Sequence, residues 1–555
     1  MQKRRLRNSQ EYMEEQILIE RLSYGNAGIA HLKSGKTIFV DRVAPGDLVL
    51  VRIEKEKARF CIGSVLKIIE PSPFRVSPPC PYFEKCGGCP WQHVDYKAQL
   101  SAKRDNVVSA LTRIAKLDVQ AAEQLVAPTK ASKREFEYRN KLELNAGFFE
   151  ELCNAPTTAA ASSFKKFDIG FSKEGSHTLV NIDTCLAAHK AIAQTPKSLR
   201  GALRYLQGNQ DLEIFRVGIR HSARTKDTEI ALWTNPGAFP RKAVAQTLKS
   251  ALKTSSIVRV IADQGSSRAV KQVEVLDGKG YWEEKMHENH FKTSAPSFFQ
   301  INTTQAETLV DEVLEGLQVD SSSVVADLYA GGGTFSIALA KKAALVYAVE
   351  SASSSVKDLR RNAEINEVDI EVIGGDSARE LIHLGSLDAL VVDPPRAGLA
   401  PGVVESIVAA KPSQVAYVSC DPSTWARDVA QFYKLGYKLS SVKPVDFFPQ
   451  TYHVEIVSVL SKLEKSKYIP VSIDLGDRDL TKAESKATYG EIKQYVLDNN
   501  GLKVSQLYVA QVKRKHGLVE RENYNVGSGK SKVPQVPPKK EKAIEDALRH
   551  FKMID

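Results

Sequence analysis

Between residues 324 and 420 the sequence alternates short apolar runs with helical stretches, and each run leads into a polar or reactive residue. In chain order these residues are Asp327, Glu350, Asp376, Asp393 and Cys420. Such alternation is typical of parallel strands joined by crossover helices, and a sheet of this kind gathers the carboxyl ends of its strands at one edge, where ligands bind. The sequence therefore predicts a doubly wound, Rossmann-like α/β domain with a binding site along that edge.

The first unit of the series carries a glycine-rich turn, DLYAGGGTFS, between a strand and a helix. Its glycines let the backbone approach a ligand at the N-terminus of the helix. The turn is not the GxGxxG of dinucleotide folds and looks like the nucleoside-binding loop of S-adenosylmethionine (SAM) methyltransferases. Glu350 lies 19 residues after Gly331, where an acid accepts hydrogen bonds from ribose hydroxyls. Asp376 is placed to meet the adenine.

Cys420 ends the fifth apolar run, and Asp421 and Pro422 follow it as the start of a helix. A thiol at the ligand-binding edge is well placed to act as a nucleophile. The alternative is a buried structural cysteine, because free cysteine is among the most buried residue types. Glu455 is a charged residue at the start of the last apolar run, where the alternative reading is an exposed strand face.

Short β-runs separated by turns fill residues 15–74. Five such runs predict a small closed β-barrel of the OB kind. The stretch GIAHLKSGKTIFVDRVAPGDLV resembles the TRAM domain, an RNA-binding barrel found on several RNA-modifying enzymes.

A cysteine cluster follows in CPYFEKCGGCPWQH, where Cys80, Cys86 and Cys89 have the spacing C-x5-C-x2-C. Clustered thiols in a reducing compartment usually bind metal, and Cys185 is the best candidate for a fourth ligand. The ligand type alone leaves zinc and an iron–sulfur cluster both open. The 7 cysteines are too few for a secreted disulfide scaffold of 555 residues, which predicts a cytoplasmic location.

The formal net charge of +11 favours a polyanionic partner, although a solvated basic surface is the alternative. Basic and aromatic residues are mixed in the stretch 130–144, which we expect on a strand; the mixture suits a nucleic-acid surface, and a solvated strand face is the alternative. No run of 18 apolar residues occurs, so no membrane span is expected. After residue 463 the pattern predicts helix, turn, helix, then a proline- and lysine-rich linker and a short amphipathic helix.

Taken together, these motifs resemble the RNA (uracil-5-)-methyltransferase family, and specifically its branch that modifies 23S ribosomal RNA. The likeness covers residues 15–462 and rests on CPYFEKCGGCPWQH, EYRNK, SFFQIN, DLYAGGGTFS, DPPRAG, VSCDP and TYHVE. With the patterns above, it implies a TRAM-like barrel over residues 14–74, a central α+β RNA-binding domain with an iron–sulfur cluster over 75–290 and the SAM domain over 291–462. A small helical C-terminal module over 463–555 lies outside the core family pattern.

The resemblance also implies roles for individual residues. Cys420 would be the nucleophile and Glu455 the base. A [4Fe-4S] cluster would be held by Cys80, Cys86, Cys89 and Cys185. SAM would be contacted by Gln300, Tyr329, Thr334, Glu350, Asp376 and Asp393, although the family often has Asn where Thr334 stands.

The expected activity is methylation of carbon 5 of a uridine in RNA, and the expected substrate is 23S ribosomal RNA. The alternatives are a transfer-RNA uridine methyltransferase, a SAM enzyme acting on DNA cytosine or on amino groups, and a non-catalytic ribosomal-RNA-binding factor with the same fold.

Overall fold

The computed structural model describes residues 13–151, 164–208, 211–265, 270–463, 489–502, 504, 506–518 and 536–554. Its first sheet has six strands: β1 Glu14–Leu18, β2 Arg21–Leu22, β3 Ala27–His31, β4 Thr37–Asp41, β5 Leu48–Glu56 and β6 Phe60–Glu70. The strand order is β1-β5-β6-β4-β3-β2. Because β1 and β2 are halves of one bent segment, the sheet closes into a barrel and leaves no long unpaired edge. The bend explains why six strands occur where five were predicted.

A second sheet occupies the centre of the chain in the order β13-β12-β11-β10-β7-β8-β9. Its strands are β7 Lys141–Glu151, β8 Phe164–Ser172, β9 Leu179–Asn181, β10 Ile214–His221, β11 Thr228–Thr234, β12 Ser256–Ala262 and β13 Val270–Gly278. Helices α1 Tyr96–Arg113 and α2 Val119–Leu125 precede it, and α3 Thr195–Gln207 and α4 Arg241–Ala251 connect its strands.

The basic stretch 130–144 was predicted as a strand, and this prediction is wrong for most of it. The strand β7 begins only at Lys141, and the preceding residues form an irregular segment. Tyr138, expected on a nucleic-acid surface, is 7% exposed. The segment is irregular because its main chain bonds to neighbouring loops, including Arg139 N–H to the Ala187 carbonyl at 2.9 Å.

The third sheet is the predicted α/β sheet. After the hairpin β14 Trp282–Met286 and β15 Asn289–Thr293 and helix α5 Thr303–Gly316, it comprises β16 Val324–Leu328, β17 Leu345–Glu350, β18 Glu371–Gly374, β19 Ala389–Val392, β20 Gln414–Ser419, β21 Tyr437–Val445 and β22 Glu455–Lys462. The intervening helices are α6 Ser336–Ala340, α7 Ser353–Ile365, α8 Ser377–Leu381, α9 Val403–Ala410 and α10 Pro422–Lys434.

The order of this sheet is β18-β17-β16-β19-β20-β22-β21. The strands from β16 to β20 run parallel to one another, whereas β22 is antiparallel to both β20 and β21. All four residues of β19 and the last five of β20 are buried, as expected for parallel strands covered by helices on both faces.

Three further helices follow near the C-terminus: α11 Tyr489–Asn500, α12 Gln506–Lys515 and α13 Pro538–His550. They share a small apolar core that includes Ile492, Val509 and Ile544. Lys493 Nζ lies 2.5 Å from Asp369 Oδ2, just before the edge strand β18. The predicted proline- and lysine-rich linker lies largely outside the described residues. Within the described ranges, no helix has the length and apolarity needed to cross a membrane.

A buried ion pair holds the connection between β21 and β22. Lys103 of α1 pairs with Asp446, and both side chains are 0% exposed. The Tyr96 hydroxyl donates to Asp446 Oδ2 at 2.7 Å, and Lys103 Nζ also donates to the Phe448 carbonyl at 3.1 Å. Helix α1 follows the cysteine segment, which is residues 80–93. It therefore fixes the loop that leads to Glu455.

We expect Lys103→Met to lower the free energy of unfolding by about 3–5 kcal/mol, because it leaves the Asp446 carboxylate buried without its cation. The midpoint of urea unfolding, followed by tryptophan fluorescence, measures the effect. Lys97→Met on the exposed face of the same helix is the matched control. Equal midpoints for the two variants would show that the ion pair is dispensable.

Candidate active site

Cys420 and Glu455 meet because of the register between β20 and β22. The last pair of this antiparallel ladder is Ser419 with Ile456, so the next position along each strand places Cys420 opposite Glu455. Residues directly opposite on antiparallel strands have Cβ atoms about 4.5–5.5 Å apart. Glu455 is 8% exposed and Cys420 is half-buried. A thiol and a buried carboxyl group thus share one end of the sheet.

The barrel also reaches this position. The Tyr24 hydroxyl, in the turn between β2 and β3, donates a hydrogen bond to the main-chain carbonyl of Cys420 at 2.8 Å. The Tyr24 ring packs edge-on against Tyr452, with ring centroids 5.5 Å apart. Trp91 Nε1 donates to the Gly25 carbonyl at 3.2 Å. The turn is thus held between the cysteine segment and the nucleophile candidate.

Burial and the neighbouring charges have opposing effects on the pKa of the Cys420 thiol. Burial raises the pKa of Cys420 to about 12, the Glu455 carboxylate raises it as well, and the Arg396 guanidinium lowers it. Burial also raises the pKa of Glu455 well above its usual value, with a further increase from Asp393 and a decrease from Arg396. Arg396 therefore favours the charged form of both groups.

Helix α10 fixes the DPPRAG segment that carries Arg396. Thr424 Oγ1 donates to the Arg396 carbonyl at 3.1 Å, and the Leu399 N–H donates to Asp428 Oδ2 at 2.9 Å. Gly398 has φ +75°, and a Cβ there would lie 2.7 Å from Asp428 Oδ2, so only glycine fits. Asp421 caps α10 by accepting from the Ser423 N–H at 2.8 Å.

The glycine turn after β16 forms the neighbouring part of the edge. Tyr329 adopts φ +65°, which turns the chain sharply at the end of the strand. Glu350 braces the turn, because its Oε2 accepts from the Gly331 N–H at 2.9 Å and its Oε1 accepts from the Ala352 N–H at 2.6 Å. A Cβ built on Gly331 meets no atom within 4 Å, so open space lies beside the turn.

The other predicted SAM residues lie around the same edge in different environments. Gln300 is 8% exposed, and its main-chain carbonyl accepts from Asn140 Nδ2 at 2.9 Å. Thr334 is half-buried in the turn before α6. Asp376 caps α8 by accepting from the Ala378 N–H at 3.1 Å, and it raises the pKa of Tyr329 after the larger effect of burial.

Asp393 and Asp327 form an acidic pair between the glycine turn and the thiol. Burial, and then the charge of Asp327, raise the pKa of Asp393 to about 7. Burial raises the pKa of Asp327 to about 7 even though the Ser336 hydroxyl donates to it. Its Oδ1 is buried and has no hydrogen-bond partner among the described residues. Carboxyl groups of this kind favour a cationic ligand such as a sulfonium.

The predicted metal ligands Cys80, Cys86, Cys89 and Cys185 line one cavity of about 90 Å³. All four are free thiols. Burial raises the pKa of Cys89 to about 12 and also raises that of Cys86 and Cys185. In the described part of the chain, however, no three His, Cys, Asp or Glu side chains converge as a ready-made metal site. The structure gathers the cysteines without establishing an iron–sulfur cluster.

Arg139, which belongs to the EYRNK motif, lines the same cavity, a position that the motif did not indicate. Its Nε is buried and has no hydrogen-bond partner among the described residues. An unpaired donor on a cation that lines the same space as four thiols is compatible with an anionic thiolate–metal group.

Tyr24 lies outside every motif quoted above, and Arg139 was noticed only as part of EYRNK. Tyr24 lies 396 residues from Cys420 along the chain, and no local pattern signals such a contact. Arg396 was noticed only as part of DPPRAG, and its effect on both reactive groups required the fold.

Comparisons with known proteins agree with this architecture. The tRNA (uracil-5-)-methyltransferase family matches residues 165–463, and the TRAM domain matches residues 9–66. A Thermotoga maritima protein named an uncharacterized RNA methyltransferase is 32% identical over 460 residues, which is 81% of this chain and 99% of the relative. A Gloeobacter violaceus protein of similar name, gll3134, is 35% identical over 467 residues, or 80% of this chain and 96% of the relative.

Among solved structures, the Pyrococcus abyssi tRNA (uracil-54, C5)-methyltransferase in complex with S-adenosyl-L-homocysteine is similar to this chain. It is 27% identical, with a TM-score of 0.60, and the match covers 80% of this chain and 100% of that chain. The fold, together with the ligand-binding edge of the α/β sheet, defines a SAM-dependent RNA methyltransferase with an N-terminal TRAM domain. The chain belongs to the tRNA (uracil-5-)-methyltransferase family, which confirms the predicted enzyme class.

Arg396→Gln should slow alkylation of Cys420 by iodoacetamide about tenfold at pH 8 and move the rate profile to higher pH. Loss of the guanidinium raises the thiol pKa further, and one pKa unit is a factor of ten in thiolate. Arg396→Lys keeps the charge and should react nearly as the unaltered protein does. Peptide mass spectrometry measures the rate, and an unchanged profile in the Gln variant would contradict the electrostatic role.

SAM affinity should rise about tenfold between pH 6 and pH 8, because Asp393 ionises with a pKa of about 7 and attracts the sulfonium. Isothermal titration calorimetry measures the constants. S-adenosylhomocysteine, which lacks the sulfonium charge, should respond less. Asp393→Asn should flatten the dependence, whereas a profile that only Asp327→Asn flattens would assign the titration to Asp327.

Proposed function

We propose that this enzyme methylates carbon 5 of a uridine in RNA through a transient bond between Cys420 and carbon 6. The observation that supports this most directly is the juxtaposition of the Cys420 thiol and the buried Glu455 carboxyl group beside the glycine turn. Carbon 5 of uracil is a poor nucleophile. Addition of a thiolate to carbon 6 makes the ring an enolate, whose carbon 5 can accept a methyl group.

The residues would act in sequence. Arg396 favours the thiolate of Cys420, which attacks carbon 6. SAM supplies an electrophilic methyl group when bound. Glu455 then accepts the proton from carbon 5, and the electrons released expel the thiolate and restore the ring double bond. Glu455 must be ionised for this step, and Arg396 lowers its pKa in the required direction.

The residues that would hold SAM are those of the strand edge. Glu350, which braces the glycine turn, would accept from the ribose hydroxyls, and Asp393 would lie near the sulfonium or bond the uracil edge. Gln300, Tyr329, Thr334 and Asp376 would complete the pocket. The capping role of Asp376 makes it the weakest of these, because one carboxylate oxygen already accepts from α8.

Two variants separate the steps of this mechanism. Cys420→Ala should lower the rate of methylation more than about a thousandfold, because no enolate forms without the thiol. SAM binding should be retained. Glu455→Gln should accumulate protein covalently attached to RNA, seen as a slower band on denaturing gels. Turnover by the alanine variant would reject the nucleophile and would favour an amino-group methyltransferase.

We propose 23S ribosomal RNA as the substrate, supported by the TRAM barrel together with the four-cysteine cavity that the resemblance links to that branch. The similarity to the P. abyssi enzyme, whose name states a tRNA substrate, favours transfer RNA as the second candidate. Mapping of 5-methyluridine in ribosomal and transfer RNA from cells with and without the gene distinguishes them. Modification unchanged in both RNAs would reject the activity and leave a binding role.

We also propose that Cys80, Cys86, Cys89 and Cys185 hold a [4Fe-4S] cluster. The support is the soft donor set around one cavity and the unpaired buried Nε of Arg139. Four thiolates would leave no open coordination site for chemistry, so this cluster would stand outside the methyl transfer.

Protein purified without air should be brown and contain about four iron and four sulfide per chain. Arg139→Met should lower the reduction potential of the cluster, because the positive charge that favours the more negative reduced state is lost. Colourless protein with stoichiometric zinc would reject the cluster.

The predicted boundaries at residues 74, 290 and 462 are proposed as domain limits, and limited proteolysis tests them. We further propose a cytoplasmic location, supported by the free thiols among the described cysteines.

A further inference from the structure

An open groove of about 540 Å³ lies beside the active site, and no motif indicated it. Four segments form it: Asn26 of the barrel turn, residues 87–90 of the cysteine segment, residues 171–177 at the end of β8, and residues 451–453 before β22. Its volume falls within the range of about 300–1,000 Å³ that is usual for ligand sites.

The groove is separated from Cys420 by two tyrosines. Tyr24 lies two residues before Asn26, the barrel residue of the groove. Its hydroxyl donates a hydrogen bond to the Cys420 carbonyl, and its ring contacts Tyr452. Tyr452 lines the groove, and its ring centroid lies 4.2 Å from that of His453. A chain lying in the groove would therefore have aromatic rings between it and the thiol.

The wall opposite these rings is built from main chain. Gly87 N–H donates to the Ser172 carbonyl at 3.3 Å, and Cys86 forms a backbone bridge with Lys173. A Cβ on Gly87 would lie 3.0 Å from the Glu174 Cα, so the two segments touch closely. Gly88 and Phe171 line both this groove and the cysteine cavity, so the two spaces share a wall.

Polar groups at the groove remain available to a ligand. Lys173 and His177 are exposed at its rim. Asn26 donates to Glu174, while its Oδ1 is buried and has no hydrogen-bond partner among the described residues. Aromatic rings beside an exposed lysine suit an unstacked nucleotide and its phosphate.

We propose that this groove binds a nucleotide adjacent to the target uridine in the same RNA strand. The base would stack near Tyr452 and Phe171, and its phosphate would lie near Lys173 and His177. A target base turned out of folded RNA leaves its neighbours unstacked, and the groove lies next to the Cys420 edge, from which Tyr24 and Tyr452 separate it. The inference rests on the proposed function, because it takes the Cys420 edge as the position of the uridine.

The first test measures binding of RNA to the full chain as a function of salt. Lys173→Glu should weaken binding of total cellular RNA fragments and lower the slope of log K against log salt by about 1 or more, as for loss of a phosphate contact. SAM affinity should be unchanged. Lys242→Glu, an exposed lysine on α4 away from the groove, is the matched control. Identical slopes for the two variants would overturn the proposal.

The second test locates the RNA directly. Fragments of total RNA containing 4-thiouridine are cross-linked to the unaltered protein by long-wavelength light, and the attached peptides are identified by mass spectrometry. Cross-links within residues 171–177 or 451–453 are expected, and cross-links confined to other segments would overturn the groove. Neither test measures methylation. A protein that binds RNA in this groove yet never modifies uridine would refute the proposed function but would retain the groove as an RNA-binding site.

Discussion

The reversed direction of β22 is the constraint on which the candidate active site depends. If β22 ran parallel to β20, its first residue would lie at the opposite edge of the sheet from Cys420. Because it is antiparallel, the start of β22 and the end of β20 coincide, and Glu455 comes to lie opposite Cys420. The same reversal brings the connection between β21 and β22, with Tyr452 and His453, to the ligand-binding edge.

That connection is held from outside its own sheet. Lys103 pairs with Asp446, and the Gln450 N–H donates to the Gln99 side-chain oxygen at 3.0 Å. Trp91 N–H donates to the Gln450 carbonyl at 3.0 Å, which links the loop to the cysteine segment. The edge that carries Cys420 and Glu455 is thus assembled by contacts among the barrel, the cysteine segment and the α/β sheet, and no one of them forms it alone.

The sequence predicted those parts of the site that follow from local periodicity. Each buried strand ends at a defined residue, so the shared edge of Glu350, Asp393 and Cys420 could be predicted from the apolar runs. The contact of Tyr24 with Cys420 and the position of Arg139 at the cysteine cavity could not be predicted, because only packing between sheets brings these residues close to their partners. The prediction of a strand at 130–144 was wrong for a related reason. Contacts with neighbouring loops, rather than the alternation of apolar and polar residues, determine the conformation of most of this stretch.

The bond from the Tyr24 hydroxyl to the Cys420 carbonyl bears on how this architecture could be inherited. A barrel that served only as a separate grip on nucleic acid could be exchanged between enzymes as an independent cassette. Here the barrel supplies a donor to the backbone of Cys420, so the barrel and the α/β sheet are expected to have diverged together. Transplanting an unrelated barrel would leave that carbonyl without its partner even if the new barrel bound RNA equally well.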